Sequence, residues 1–177
     1  IYNTSKMNKK KTCRYILLSF MLITICMSLL YGYKVYSSKI QKQCFRAPIE
    51  NTRGEIITLD YLQNTPCIML FFNTQCDLCL AEIALIKEHL KKISKMYNIF
   101  LISFEPKRSL ISFFTEKGID INNKNIHIIA DEDMILLDYY QIKGYPSFII
   151  LNTKYKMEYR GSAIDNSIIS KLLKQNL

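Results

Sequence analysis

Apolar and polar positions along the chain fall into two regimes. From residue 15 to residue 33 there are 19 consecutive residues without a charge, with tyrosines at both ends. As a helix, that length spans the roughly 30 Å hydrocarbon layer of a membrane, and tyrosines suit the headgroup level. Beyond residue 46 the apolar residues come in short blocks instead. Residues 47–51 and 55–59 alternate around Thr52-Arg53-Gly54 and read as a hairpin. Pro66 opens an apolar run through Ile68-Met69-Leu70-Phe71-Phe72, the signature of a buried strand. Ile83, Ile86, Leu90, Ile93 and Tyr97 then recur at three-to-four spacing, with Glu82, Lys87, Glu88, Lys91, Lys92 and Lys95 largely elsewhere, which predicts an amphipathic helix.

The rest of the chain continues the alternation. A buried strand is expected over 98–104 and a helix over 106–117, with Gly118 suited to its C-terminal cap. A short strand follows at 126–130. Asp131, Glu132 and Asp133 are expected to start the next helix, where negative charge suits the helix dipole, and to carry it to about Tyr140. The loop 142–146 leads to a strand at 147–151, a turn at 152–154 returns as a strand over 155–159, and 165–174 closes the chain as a helix. Helices alternating with buried strands and ending in a hairpin predict an α/β domain, a mixed central sheet covered on both faces.

Charge sharpens the division. Nine of the 24 basic residues precede Ala47 with no acidic residue among them, so the remainder carries 15 of each sign, and the net charge of +9 belongs to the first quarter. The neutral folded part has no basic stripe with interleaved aromatics, which argues against a nucleic-acid partner. A cleaved signal peptide usually has an apolar core of only 7–15 residues ending in small residues, and no such site follows Tyr33, so the run reads as an uncleaved anchor. A lipidated Cys26 would need a small residue before it, where the chain has Ile25. Residues 1–6 precede the first methionine, and Met7 reads as the natural start. Five basic residues before the run and four after it bias the N-terminus to the cytoplasm. The expected division is a basic cytoplasmic segment 1–14, an anchor 15–33, a linker 34–45 holding a bystander Cys44, and a domain 46–177 outside the cytoplasmic membrane.

The candidate chemistry stands where the apolar strand meets the amphipathic helix. Cys76 and Cys79 are two residues apart at that junction. A cysteine at a helix N-terminus sits among free N–H groups and the positive end of the dipole, which favour a thiolate. Cys76 therefore reads as the nucleophile. Cys79, one turn on and on the same face, reads as the resolving thiol that attacks a mixed disulfide at Cys76. A zinc site would need a second ligand pair, and Cys44, Cys67, His89 and His127 form none at metal-ligand spacing. Inert core cysteines are the remaining alternative, against which the strand–CxxC–helix context speaks. His89 reads as a solvated or packing residue and His127 as a strand residue beside the core.

With Cys76-Asp77-Leu78-Cys79 after a strand, and Gly144-Tyr145-Pro146-Ser147 before the strand expected alongside, the chain resembles the thioredoxin superfamily from about residue 46 onward. More closely it resembles the membrane-anchored TlpA/ResA-like thiol-disulfide oxidoreductases and the neighbouring redoxin (AhpC/TSA) group. The resemblance implies a thioredoxin-like fold and a redox-active disulfide between Cys76 and Cys79. It implies a cis Pro146 packed beside that pair, a Tyr145 backbone offered to an extended substrate, and Gln75, Asp77 and Leu78 at the substrate surface. Glu82 matches a glutamate that ResA-like proteins use in proton handling; a solvated helix glutamate is the other reading. The implied function is disulfide reduction on exported proteins, with electrons from a membrane thiol donor and no cofactor or metal.

The chain also departs from the pattern. Gln75 stands where relatives have tryptophan, Leu78 where many have proline, and Leu70 where an acidic or amide residue is common. Two alternatives belong to the same fold. A thiol peroxidase would need a Pro-x-x-x-Thr/Ser-x-x-Cys frame, whose positions here hold Met69 and Asn73. A copper-binding assembly factor would use both cysteines with a histidine, for which His127 is the strand candidate.

Overall fold

A computed structural model describes residues 4–40, 45–58 and 61–174, which divide into two units, residues 1–41 and 42–177. Cys44 in the expected linker and Leu59 at the end of the expected hairpin lie outside the described residues. The first unit is one helix, α1 (Thr4–Ile40), containing the 22-residue apolar stretch Arg14–Val35, which by length and composition suits a membrane span or a signal sequence. The hydroxyls of Ser19, Thr24 and Ser28 each donate to a carbonyl three residues earlier, at 2.8–2.9 Å. These three hydroxyls are thereby satisfied within the helix, which is how such groups are accommodated in an apolar surrounding. The helix runs on to Ile40, through residues expected to be linker, since no proline or glycine stands between Gly32 and Ile40 to end it.

In the second unit β1 (Ile49–Glu50) and β2 (Ile56–Ile57) form a short antiparallel hairpin. Arg53 at its tip donates to the carbonyls of Ile121 and Ile126 at 2.6 and 2.9 Å, fastening the hairpin to the segment 121–126. The main elements are β3 (Cys67–Phe71), α2 (Asp77–Ile93), β4 (Asn98–Ser103), α3 (Lys107–Glu116), β5 (Ile126–Ala130), α4 (Ile135–Tyr139), β6 (Ser147–Leu151), β7 (Met157–Gly161) and α5 (Asn166–Lys174). The five-stranded sheet has the order β5-β4-β3-β6-β7, parallel from β5 to β3 and antiparallel from β3 to β7. It is the mixed sheet the alternation predicts.

Side chains alternating along the strands build two cores. Ile68, Leu70, Ile99, Leu101, Ile128, Phe148 and Ile150 pack with Ile83, Ile86, Leu90 and Ile93 of α2 and with Ile169 and Leu172 of α5. Met69, Phe71, Phe100, Ile102, Ile149 and Leu151 pack on the other face with Leu136, Leu137 and Tyr140. Each such side chain contributes roughly 1.5–3 kcal/mol on burial, which holds α2 and its first turn in place.

The starts of α4 and β7 differ from expectation for identifiable reasons. Asp131, Glu132 and Asp133 do not begin α4, which starts at Ile135. The Asp131 carboxylate instead accepts the amides of Leu136 and Leu137 at 3.0–3.1 Å, a side-chain cap reached through Met134 at φ +57°. The last strand starts at Met157 rather than 155, because the Asn152 side chain accepts the amides of Lys154 and Lys156 and prolongs the turn. Tyr155, at φ +55°, points its hydroxyl inward to accept the amide of Asn64 at 2.7 Å.

Candidate active site

Strand register dictates what meets at the end of β3. In the parallel pairing Phe71 stands opposite Ile102, so three residues further along both strands Thr74 comes level with Glu105. In the antiparallel pairing Phe71 stands opposite Ser147, which brings Pro146 and Tyr145 alongside Phe72 and Asn73. The segment 73–76 is thereby gripped from both sides. Thr74 donates its amide and its hydroxyl to the Glu105 carboxylate at 3.1 and 2.5 Å, and Ser103 donates to the same carboxylate at 3.0 Å. Asn73 accepts the Gln75 amide with its side chain and the Cys76 amide with its carbonyl. On the other side the Tyr145–Pro146 bond is cis, as the resemblance implies, and the Cys76 thiol lies 3.9 Å from the Tyr145 carbonyl it donates to.

This grip sets Cys76 at the N-cap of α2, in an extended conformation, its sulfur accepting the Cys79 amide at 3.3 Å. The Cys76 sulfur thus takes the place of a capping side chain for the first turn of α2. The two thiols differ sharply. Cys76 is partly exposed, whereas Cys79 is 0% exposed, and burial together with hydrogen bonding to Cys76 pushes the Cys79 thiol up to about 12. Gln75 and Asp77 are exposed and Leu78 is 69% exposed, so all three stand on the surface around Cys76.

Glu82, one turn beyond Cys79, is not a solvated helix residue. It is 6% exposed; Oε1 accepts the amide of Ile164 at 2.7 Å, while Oε2 is buried without a hydrogen-bond partner. Burial raises the Glu82 carboxyl above the ordinary range, partly offset by the Ile164 amide. Its charge also helps to raise the Cys79 thiol, which marks the two groups as electrostatic neighbours.

Sequence reasoning missed Glu105, Thr74 and Ile164. The signal for Glu105 was present: a single acid directly after a buried strand, at the same sheet end as the cysteines, with Pro106 behind it. His127, by contrast, is not at this end. It pairs in register with Phe100, which pairs with Met69, seven residues before Cys76. It is fully buried, its Nε2 lies 3.1 Å from Asn98 Oδ1, and its ring packs against Phe100 and Tyr61. That position removes the geometric basis for a copper site shared with the cysteines. Among the described residues no three or more His, Cys, Asp or Glu side chains gather to hold a metal ion.

The assembled geometry can be set against known proteins. No curated protein sequence matches the chain. The pneumococcal exposed lipoprotein thioredoxin Etrx1 from Streptococcus pneumoniae superposes with a TM-score of 0.58 at 18% identity, covering 74% of this chain and 99% of that one. A secreted disulfide oxidoreductase from Mycobacterium tuberculosis, homologous to E. coli DsbE, gives 0.59 at 15% identity over 72% and 94% of the two chains. Peroxidoxin BcpB from M. tuberculosis gives 0.59 at 14% identity over 75% and 93%. At these identities the likeness is one of fold, a thioredoxin-like fold common to disulfide oxidoreductases and peroxiredoxins. The AhpC/TSA profile matches residues 40–160, and over that stretch, more than half of its length, the chain belongs to the AhpC/TSA family.

Proposed function

We propose that the chain is a membrane-anchored thiol-disulfide oxidoreductase that reduces disulfides of exported proteins, with Cys76 as nucleophile and Cys79 as resolving thiol. The observation that carries this reading is the inequality of the two sulfurs: one partly exposed at a helix N-cap, the other wholly buried one turn behind it. The Cys76 thiolate attacks one sulfur of a substrate disulfide; that S–S bond breaks, and one substrate cysteine leaves as a thiolate and takes up a proton. Cys79 then gives up its proton and attacks the Cys76 sulfur. The mixed disulfide breaks, the second substrate cysteine leaves reduced, and the pair is left oxidised. Two electrons have moved to the substrate, and a membrane dithiol donor returns them by the reverse exchange. Glu82, buried and with its carboxyl raised, is suited to take the Cys79 proton, and Pro146 and Tyr145 to align the substrate chain.

Direction follows from charge. Asp77 stands between the cysteines and no cation does, so nothing there further stabilises the reduced form. The expected potential is below about −200 mV, against about −120 mV for the strong oxidants of this fold. Anchoring by residues 15–33 with 46–177 outside the cytoplasmic membrane rests on the exposed apolar stretch of α1 and the flanking charges. Protease added to intact spheroplasts should then digest the domain.

Trapping in cells tests the chemistry. Cys79→Ser should accumulate mixed disulfides with exported proteins, and Cys76→Ser should accumulate none. Equal trapping by both variants, a potential near −120 mV, or cysteine-dependent consumption of peroxide without disulfide reduction would each overturn the assignment.

A further inference from the structure

Beside the dithiol a groove of about 740 Å³ opens between the loop before β6 and the end of β7, with Leu78, Lys143, Tyr145, Pro146, Arg160 and Ser162 among its walls. Two of its lining side chains are cations and none is acidic. Arg160 is fixed at the wall, its Nη2 donating to the Gln141 carbonyl at 2.8 Å, which leaves the other donors of the guanidinium fork to bind elsewhere. Among the described residues neither Lys143 nor Arg160 meets a carboxylate at ion-pair distance.

Asp77 and Glu82 carry negative charge on α2 itself; two further carboxylates, neither lining the groove, lie on the Phe104 side of Tyr145. There the Glu105 carboxylate holds Thr74 and Ser103, and Asp131 caps α4. The Tyr145 ring packs against Phe104, and burial, then the charges of Asp131 and Glu105, raise its phenol. Tyr145 therefore stands between an acidic side, met by its ring, and a basic groove.

We propose that the groove takes an extended protein segment carrying an Asp or Glu side chain within a few residues of the cysteine that Cys76 attacks, Lys143 and Arg160 receiving its carboxylate. The proposal rests on the reductase reading and names its substrate class. Leu78, 69% exposed at the rim, supplies an apolar contact that a peptide can use and a small anion cannot. The cations are solvent-facing, so the preference is modest and screened by salt.

The test uses the reduced full chain in neutral detergent, with three synthetic peptide disulfides that flank the cysteine with Glu, Gln or Lys, and with neutral hydroxyethyl disulfide. At low salt the Glu peptide should exchange about fivefold faster than the Gln peptide, and the Lys peptide more slowly than either. The Glu-to-Gln rate ratio should fall towards one in Lys143→Gln and Arg160→Gln, and the order should reverse in Lys143→Glu. Equal rates for the three peptides, with hydroxyethyl disulfide still reduced, overturn the acidic-substrate proposal and leave the reductase reading standing. A Glu preference unchanged in all three variants places the recognition elsewhere and also overturns it. Failure to reduce any of the four disulfides removes both readings together.

Discussion

Glu82 Oε1 accepts the amide of Ile164 at 2.7 Å, a buried bond between the second turn of α2 and the loop leading to α5. It holds the carboxyl one turn behind the cysteines in a site that leaves Oε2 without a partner. A carboxyl raised by burial keeps its proton more firmly in the folded chain than in the unfolded one. Its contribution to stability is then fully present below the ordinary value of 4.5 and is lost as pH rises through the folded value. Glu82→Gln keeps an acceptor for Ile164 and removes the titration. Thermal unfolding followed from pH 4 to 8 should decline less steeply for the variant, and parallel curves would show that Glu82 does not titrate in the fold.

The Thr74–Glu105 clamp should matter to both stability and rate. Thr74→Val deletes the hydroxyl donor to a carboxylate, a loss of about 2 kcal/mol. Because the clamp positions the segment leading into Cys76, disulfide exchange should slow on the order of tenfold. Denaturant midpoints and exchange rates measured on the same preparation separate the two effects. Unchanged exchange in a destabilised variant would reduce Glu105 to a purely structural anchor.

His127 gives a stability effect of the opposite sign. Burial, with a smaller contribution from Arg53, lowers it from 6.5 to about 4. The unfolded chain therefore binds a proton that the folded chain refuses between those values. Stability from this group is complete above pH 6.5 and falls as pH drops towards 4, by roughly 3 kcal/mol in total. His127→Gln should lose less stability than the parent across that interval. The comparison is made variant against parent at each pH, since Glu82 contributes in the other direction.

Gly161, at the end of β7, lies against the stacked rings of Phe148 and Tyr159, whose centroids are 5.2 Å apart. A Cβ there would sit 2.7 Å from the Phe148 ring and 2.8 Å from that of Tyr159. Gly161→Ala should therefore destabilise the domain by about 1–3 kcal/mol, read as a lowered denaturant midpoint with unchanged slope. A neutral result would mean that the rings separate freely.

The cis proline at 146 was expected only through the family resemblance, whereas the order of strands and helices, the apolar stretch of α1 and the strand–CxxC–helix junction were legible in the chain itself. They rest on local signals: hydrophobic period, turn residues and the spacing of two cysteines, each expressed within a few residues. Where α4 and β7 begin was not legible, because Asp131 and Asn152 compete for main-chain amides with their own side chains, and the pattern of apolar positions is blind to that contest. The inequality of the two thiols was half visible, as position on a helix. The burial that separates Cys79 from Cys76 comes from the packing of α2 on the sheet. The meetings of Glu105 with Thr74, of Ile164 with Glu82 and of Arg160 with Gln141 at the groove were decided by tertiary structure alone. Each joins residues 19 to 82 positions apart in the chain, and only strand register and helix packing fix which of them meet.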